Sequence, residues 1–147
     1  MFSIVVTKEK AIAGIAMLAV LALCVIYFFT YFKAEVPTSK YEIKNTDRQR
    51  RIFIESYGYT LKADKAKKEN FKVPENFNDT FMQFERLQNE MGLSLEKFKG
   101  ETLKKYTYLL ANTPSTVYAE IYMYGKYVAA GCIVNPDLKE GYIKSFM

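Results

Sequence analysis

Between Ala11 and Phe32 the chain carries 22 residues, AIAGIAMLAVLALCVIYFFTYF, with no charged side chain among them. No other feature restricts the fold as strongly. As a helix the run spans about 33 Å at about 1.5 Å per residue, and a bilayer's hydrocarbon core is about 30 Å thick. Helices of a soluble core normally keep one polar face, which this run lacks. The run exceeds the roughly 7–15 apolar residues of a cleaved signal, and Tyr27 to Phe32 supply no small residue for cleavage. Lipoprotein processing at Cys24 would need a small residue where Leu23 stands. Lys8 and Lys10 precede the run, and Tyr27 and Tyr31 suit an interfacial aromatic belt. These features predict an uncleaved single-pass anchor in the cell membrane.

Orientation is less constrained. Lys33, Lys40 and Lys44 balance the N-terminal lysines, so counting charges does not decide it. Long C-terminal domains translocate largely regardless of charge. The expected arrangement is therefore a cytoplasmic tail over 1–10, a transmembrane helix over 11–32, a tether over 33–45 and an extracytoplasmic α+β domain over 46–147. A ten-residue tail is far below the roughly 40 residues a fold needs, so any signal would pass through partners in the membrane.

Leaving out Lys8, Glu9 and Lys10 lowers the net charge from +5 to +4. That mild excess would suit an anionic lipid or polymer. No long basic run singles out nucleic acid. Cys132 is the one cysteine outside the apolar run, so no internal disulfide can form there, which fits a bacterial envelope.

The tether has Pro37, Thr38 and Ser39 and no clear period. Asn45-Thr46-Asp47 offers an N-cap for a helix to about Tyr57, with Phe53, Ile54 and Tyr57 on one face and Gly58 as a stop. Tyr59 to Lys62 reads as a short strand, Ala63 to Asn70 as a polar stretch, and Phe71 to Val73 as a segment able to pair. Phe77, Phe81, Phe84, Leu87 and Met91 make an apolar stripe on a second helix, capped by Asn76 or Asn78 and ended by Gly92. A helical turn follows to Gly100. Strands are expected over Glu101–Ala111, Thr116–Tyr124 and Tyr127–Val134, with a two-residue hairpin turn at Gly125-Lys126. Helices first and a meander after make an α+β domain of two main helices on an antiparallel sheet.

These stretches resemble an uncharacterised bacterial membrane-anchored family, the domain of unknown function number 4830. The resemblance rests on NTDRQRRIFIESYGY, on FKVPENFNDTFMQFERLQNEMGLSLEKFKG, on LKKYTYLLANTP, on the hairpin at Tyr124-Gly125-Lys126 and on the strand at Gly131, which together cover most of Thr46 to Gly131. It implies a short tail, one membrane run and one small exported domain, and it brings no activity or catalytic residue. Family members often carry Trp where Tyr59 stands, an acidic residue where Cys132 stands, and a His near Gly141 to Lys144.

The chain has no histidine, which removes Ser-His-Asp and Cys-His catalysis and histidine metal sites. No phosphate loop is present, and no cofactor is expected. Glu75 with Asp79, or Glu85 with Glu90, could serve a carboxylate hydrolase, although each also fits a solvated helix face. Cys132 reads as an inert buried thiol, and Arg48, Arg50 and Arg51 as a solvated helix surface with anion binding as the alternative. The more suggestive feature is tyrosine. On Thr116–Tyr124, Val117, Ala119, Ile121 and Met123 face one way, and Tyr118, Glu120, Tyr122 and Tyr124 the other. Tyr106 and Tyr108 share a parity that could bring them to the tyrosine side. With the phenylalanine stripe on the aliphatic side, Tyr106, Tyr108, Tyr118, Tyr122 and Tyr124 would form an outward face able to stack on sugar rings. The expected function is thus a membrane-tethered binding or interaction module of the envelope, whose partner is a cell-wall polymer or another envelope protein. The alternative is an envelope hydrolase using paired carboxylates.

Overall fold

The structure, a computed structural model, describes residues 17, 19–27 and 37–147. The tail over 1–10, the remainder of the apolar run and residues 33–36 lie outside the described residues. Residues 19–27 are helical, with Val20, Leu21, Leu23, Val25 and Ile26 more than half exposed. Among the described residues no helix is long and apolar enough to cross a membrane. Residues 37–147 belong to one unit, which holds every element discussed below.

Helix α1 spans Asp47–Glu55, and Thr46 caps it by accepting a hydrogen bond from Gln49 N. Helix α2 spans Asp79–Glu90, and the Asn78 side chain accepts from Phe81 N at 2.9 Å. Both caps satisfy amides that a helix start leaves without intrahelical partners. A single 3-10 turn covers Glu96–Phe98. Glu85, buried on α2, holds that turn by accepting from Leu95 N at 2.8 Å and from the Ser94 hydroxyl.

The strands are β1 (Lys67–Lys72), β2 (Thr102–Leu109), β3 (Tyr118–Tyr124), β4 (Tyr127–Asn135) and β5 (Tyr142–Lys144). They form one antiparallel sheet in sequence order. Gly125-Lys126 closes the β3–β4 hairpin as expected, with φ of +57° at Gly125, a conformation that glycine adopts without Cβ strain. The register then shifts by one residue, pairing Tyr122 with Ala130 and Met123 with Val128, so Ala129 forms a bulge.

Alternation along these strands divides the core in two. On one face Tyr106, Tyr108, Ala119, Ile121, Met123, Val128 and Ile133 pack with Ile54 of α1 and with Phe146. On the other, Leu103, Tyr122, Ala130 and Cys132 pack with Val73, Leu95 and Phe98, and with the half-buried Phe71, Phe77, Phe81 and Phe84. Helices on both sides make three layers. Expectation and structure differ in several places, and Tyr59 to Lys62 forms only an isolated bridge, between Leu61 and Leu110, rather than a strand. The stripe of α2 packs on the tyrosine side of β3, because α1 and the C-terminal segment already occupy the aliphatic side. The polar stretch before Phe71 is partly the edge strand β1. The last residues of the expected tether are part of the sheet: Ile43 N donates to Lys126 O at 2.8 Å, Val128 N donates to Tyr41 O at 3.0 Å, and Tyr41 and Ile43 pack on the first core.

Candidate functional site

The five tyrosines do not form one face. Tyr118, Tyr122 and Tyr124 share a side of β3, but Tyr106 pairs with Ile121 and Tyr108 with Ala119, which turns both to the opposite side. Register decides this, since sliding a strand by one residue moves all its side chains to the other face. Tyr106 and Tyr108 are buried under α1. Arg50 explains their setting: its guanidinium lies 3.6 Å from the centroid of the Tyr106 ring, and its Nε donates to the Tyr108 hydroxyl at 2.9 Å. That hydroxyl donates in turn to Asp47 Oδ1 at 2.9 Å. Burial first, with the Asp47 hydrogen bond adding to it, raises the Tyr108 phenol to about 12, against the lowering effect of Arg50. Arg51 reaches Asp47 and the Lys62 carbonyl, both at 2.8 Å. Arg50 and Arg51 thus hold the first layer to the sheet, contrary to the solvated surface expected of them.

The tyrosine side of β3 is covered too. Tyr122 is only 6% exposed, with its ring edge-on to Phe71 (centroids 4.9 Å apart) and to Phe84 (6.0 Å). What remains open there is a groove of about 660 Å³ between α2, the sheet and the segment 135–143. Phe71, Phe81, Phe84, Leu87, Val134 and Ile143 supply apolar walls, and Glu120, Tyr122 and Cys132 also line it. Its size falls within the roughly 300–1,000 Å³ of small-molecule sites.

Glu120 is held from three sides. Tyr122 OH donates to its Oε2 at 2.7 Å, while Lys105 Nζ and Thr107 Oγ1 each reach Oε1 at 3.3 Å. Lys105 also bridges to Glu69 at 3.0 Å. Burial alone would lower the Lys105 ammonium, but its bonds to Glu69 and Glu120 outweigh that and raise it. The Tyr122 phenol is pushed well above its ordinary value by burial, then by Cys132 and Glu120. Burial and the Glu120 charge push the Cys132 thiol up likewise, which disfavours the reactive thiolate. The other carboxylate of the groove is Asp137. Its Oδ1 accepts from Lys139 N at 2.7 Å and Glu140 N at 3.0 Å, and these bonds hold its pKa below the usual value.

Of the four carboxylates considered from sequence, Glu85 and Glu90 have structural tasks and Glu75 and Asp79 are exposed. Glu85 holds the 3-10 turn, and Glu90 accepts from Ser145 Oγ at 3.2 Å. Among the described residues no cluster of three or more His, Cys, Asp or Glu could hold a metal ion. Strand parity in the sequence puts Glu120 on the tyrosine side of β3 but does not single it out, because it stands as one acid in an alternating strand. Its only local signal was its place between Tyr118 and Tyr122. Set against known proteins, the chain matches no family model, no curated protein and no solved structure.

Proposed function

We propose that this protein is a membrane-tethered, extracytoplasmic binding module of the bacterial cell envelope, akin to the small exported family it resembles, and that it takes its ligand in the groove between α2 and the sheet. The observation that carries the binding reading is the state of the two groove carboxylates. Both Glu120 oxygens already accept protein hydrogen bonds, and Asp137 is held anionic by two backbone amides. A general acid must hold a proton for its substrate, whereas Glu120 accepts from three protein donors and two amides hold Asp137 below its usual pKa. Aromatic walls around a fixed polar floor are what a recognition site needs instead. The uncharged run from Ala11 to Phe32 supports the tether, and a tether favours weak ligands by keeping the module close to them.

Soluble fragments released by digesting isolated cell wall provide the test. They should bind the full chain in saturation-transfer NMR, and the double variant Phe81→Ala with Phe84→Ala should abolish the signal while remaining folded. Equal signals from the folded variant and the parent would exclude the groove. Protease added to spheroplasts tests location separately: the domain should be digested, and its protection would reverse the orientation.

A further inference from the structure

We infer that the groove selects a small organic cation, an alkylammonium carried on a ring or a short apolar body, with its charge seated at Glu120 against the aromatic walls. This rests on the groove being the ligand site. The first argument is charge. The chain is net +5, yet among the described residues no Lys or Arg lines the groove, and the charged ones that do are Glu120 and Asp137. Lys105 touches Glu120 without lining the cavity, and it also meets Glu69, which Lys67 meets at 2.7 Å.

The second argument is hydrogen-bond capacity. A carboxylate offers about four acceptor positions. Tyr122, Thr107 and Lys105 fill three at Glu120 and fix its orientation. One position is left for a donor that comes with the ligand. The third argument is the walls. Phe71, Phe81 and Phe84 are half-buried, so parts of their rings face the cavity, and ring faces attract cations. A strongly hydrated inorganic cation would lose its water against such walls, whereas an alkylammonium is already partly apolar. An anion would be desolvated beside two carboxylates with no cation in the lining to meet it, which disfavours that ligand class by repulsion.

The experiment uses the full chain in zwitterionic nanodiscs, titrated by calorimetry against empty discs. Three probes share one ring: benzylammonium, benzyl alcohol and phenylacetate. The cation should bind about tenfold more tightly than the alcohol, and phenylacetate should be weakest. Glu120→Gln should bring the cation down to the level of the alcohol. Binding of all three probes alike, or tightest binding of phenylacetate, would overturn the charge selectivity and leave the groove a binding site. Binding of none would overturn both readings. The order of the probes on the unsubstituted chain decides the matter even where Glu120→Gln does not fold.

Discussion

A methyl group at residue 131 would stand 2.4 Å from Cε2 of Phe146 and 2.9 Å from its Cζ. Gly131 therefore marks where the C-terminal segment presses its ring onto β4. Gly131→Ala should destabilise the fold by about 1–3 kcal/mol, the usual cost of overpacking. Urea unfolding would measure it, and the penalty should largely disappear in a Phe146→Ala background. Asp47 gives a second prediction. Burial would raise its pKa, but hydrogen bonds from Arg51 and Tyr108 and the charges of Arg51 and Arg50 more than offset this and lower it. A carboxylate depressed in the folded state contributes stability above its unfolded pKa and loses it as pH falls through the folded one. Stability should thus decline below the ordinary carboxylate range, and Asp47→Asn should flatten that part of a denaturation-against-pH curve. Residue parity was legible along β3, where Val117, Ala119, Ile121 and Met123 are all buried. Parity within β2 was legible as well. What sequence lacked was the offset between the two strands, and that offset sent Tyr106 and Tyr108 to the other side.

At the level of elements, the signals that survived were chemical. Thr46 and Asn78 cap the two helices, and Gly125 turns the hairpin, because each position needs a particular side chain or its absence. The strands that escaped were the two edges. β1 reads KKENFK, and lysines suit an edge strand because they discourage pairing with another chain, but they also conceal the strand from any alternation test. β5 has three residues, too few to show a period. The stripe of α2 was seen, while its degree of burial was not: Phe81 and Phe84 are half-buried beside the groove, and Glu85 and Gln88 are the buried residues of the helix. Full burial of Phe81 would imply about 3–5 kcal/mol for Phe81→Ala. Half-burial lowers the expectation to about 1–2 kcal/mol. Phe98, fully buried in the same core, should show the larger loss. Equal losses in thermal or urea unfolding would place Phe81 in the closed core and remove a wall of the groove.

For the molecule as a whole, the boundary of the folding unit lies earlier than composition suggests. Pro37, Thr38 and Ser39 resemble a linker, and nothing local tells that Tyr41 and Ile43 will pair with β4. A chain beginning at Pro37 should unfold cooperatively in urea. One beginning at Thr46 loses both ladder bonds, the Tyr41–Phe53 ring contact and the Glu42–Lys126 ion pair. It should be less stable by about 2–3 kcal/mol, since each net hydrogen bond is worth about 1 kcal/mol and the buried rings add to it. Identical midpoints and slopes for the two chains would return residues 41–43 to the linker.

That short pairing also has a mechanical meaning. Tension applied from the N-terminal side of Pro37 would load the two ladder bonds at Tyr41 and Ile43 before it reached α1. Because β3 remains paired with β4, their release would leave the five-stranded meander intact. Residues 41–45 would then be free to swing out and extend, to at most about 17 Å at about 3.4 Å per residue. The segment would act as a breakaway link, lengthening the chain ahead of α1 under strain while the groove keeps its shape.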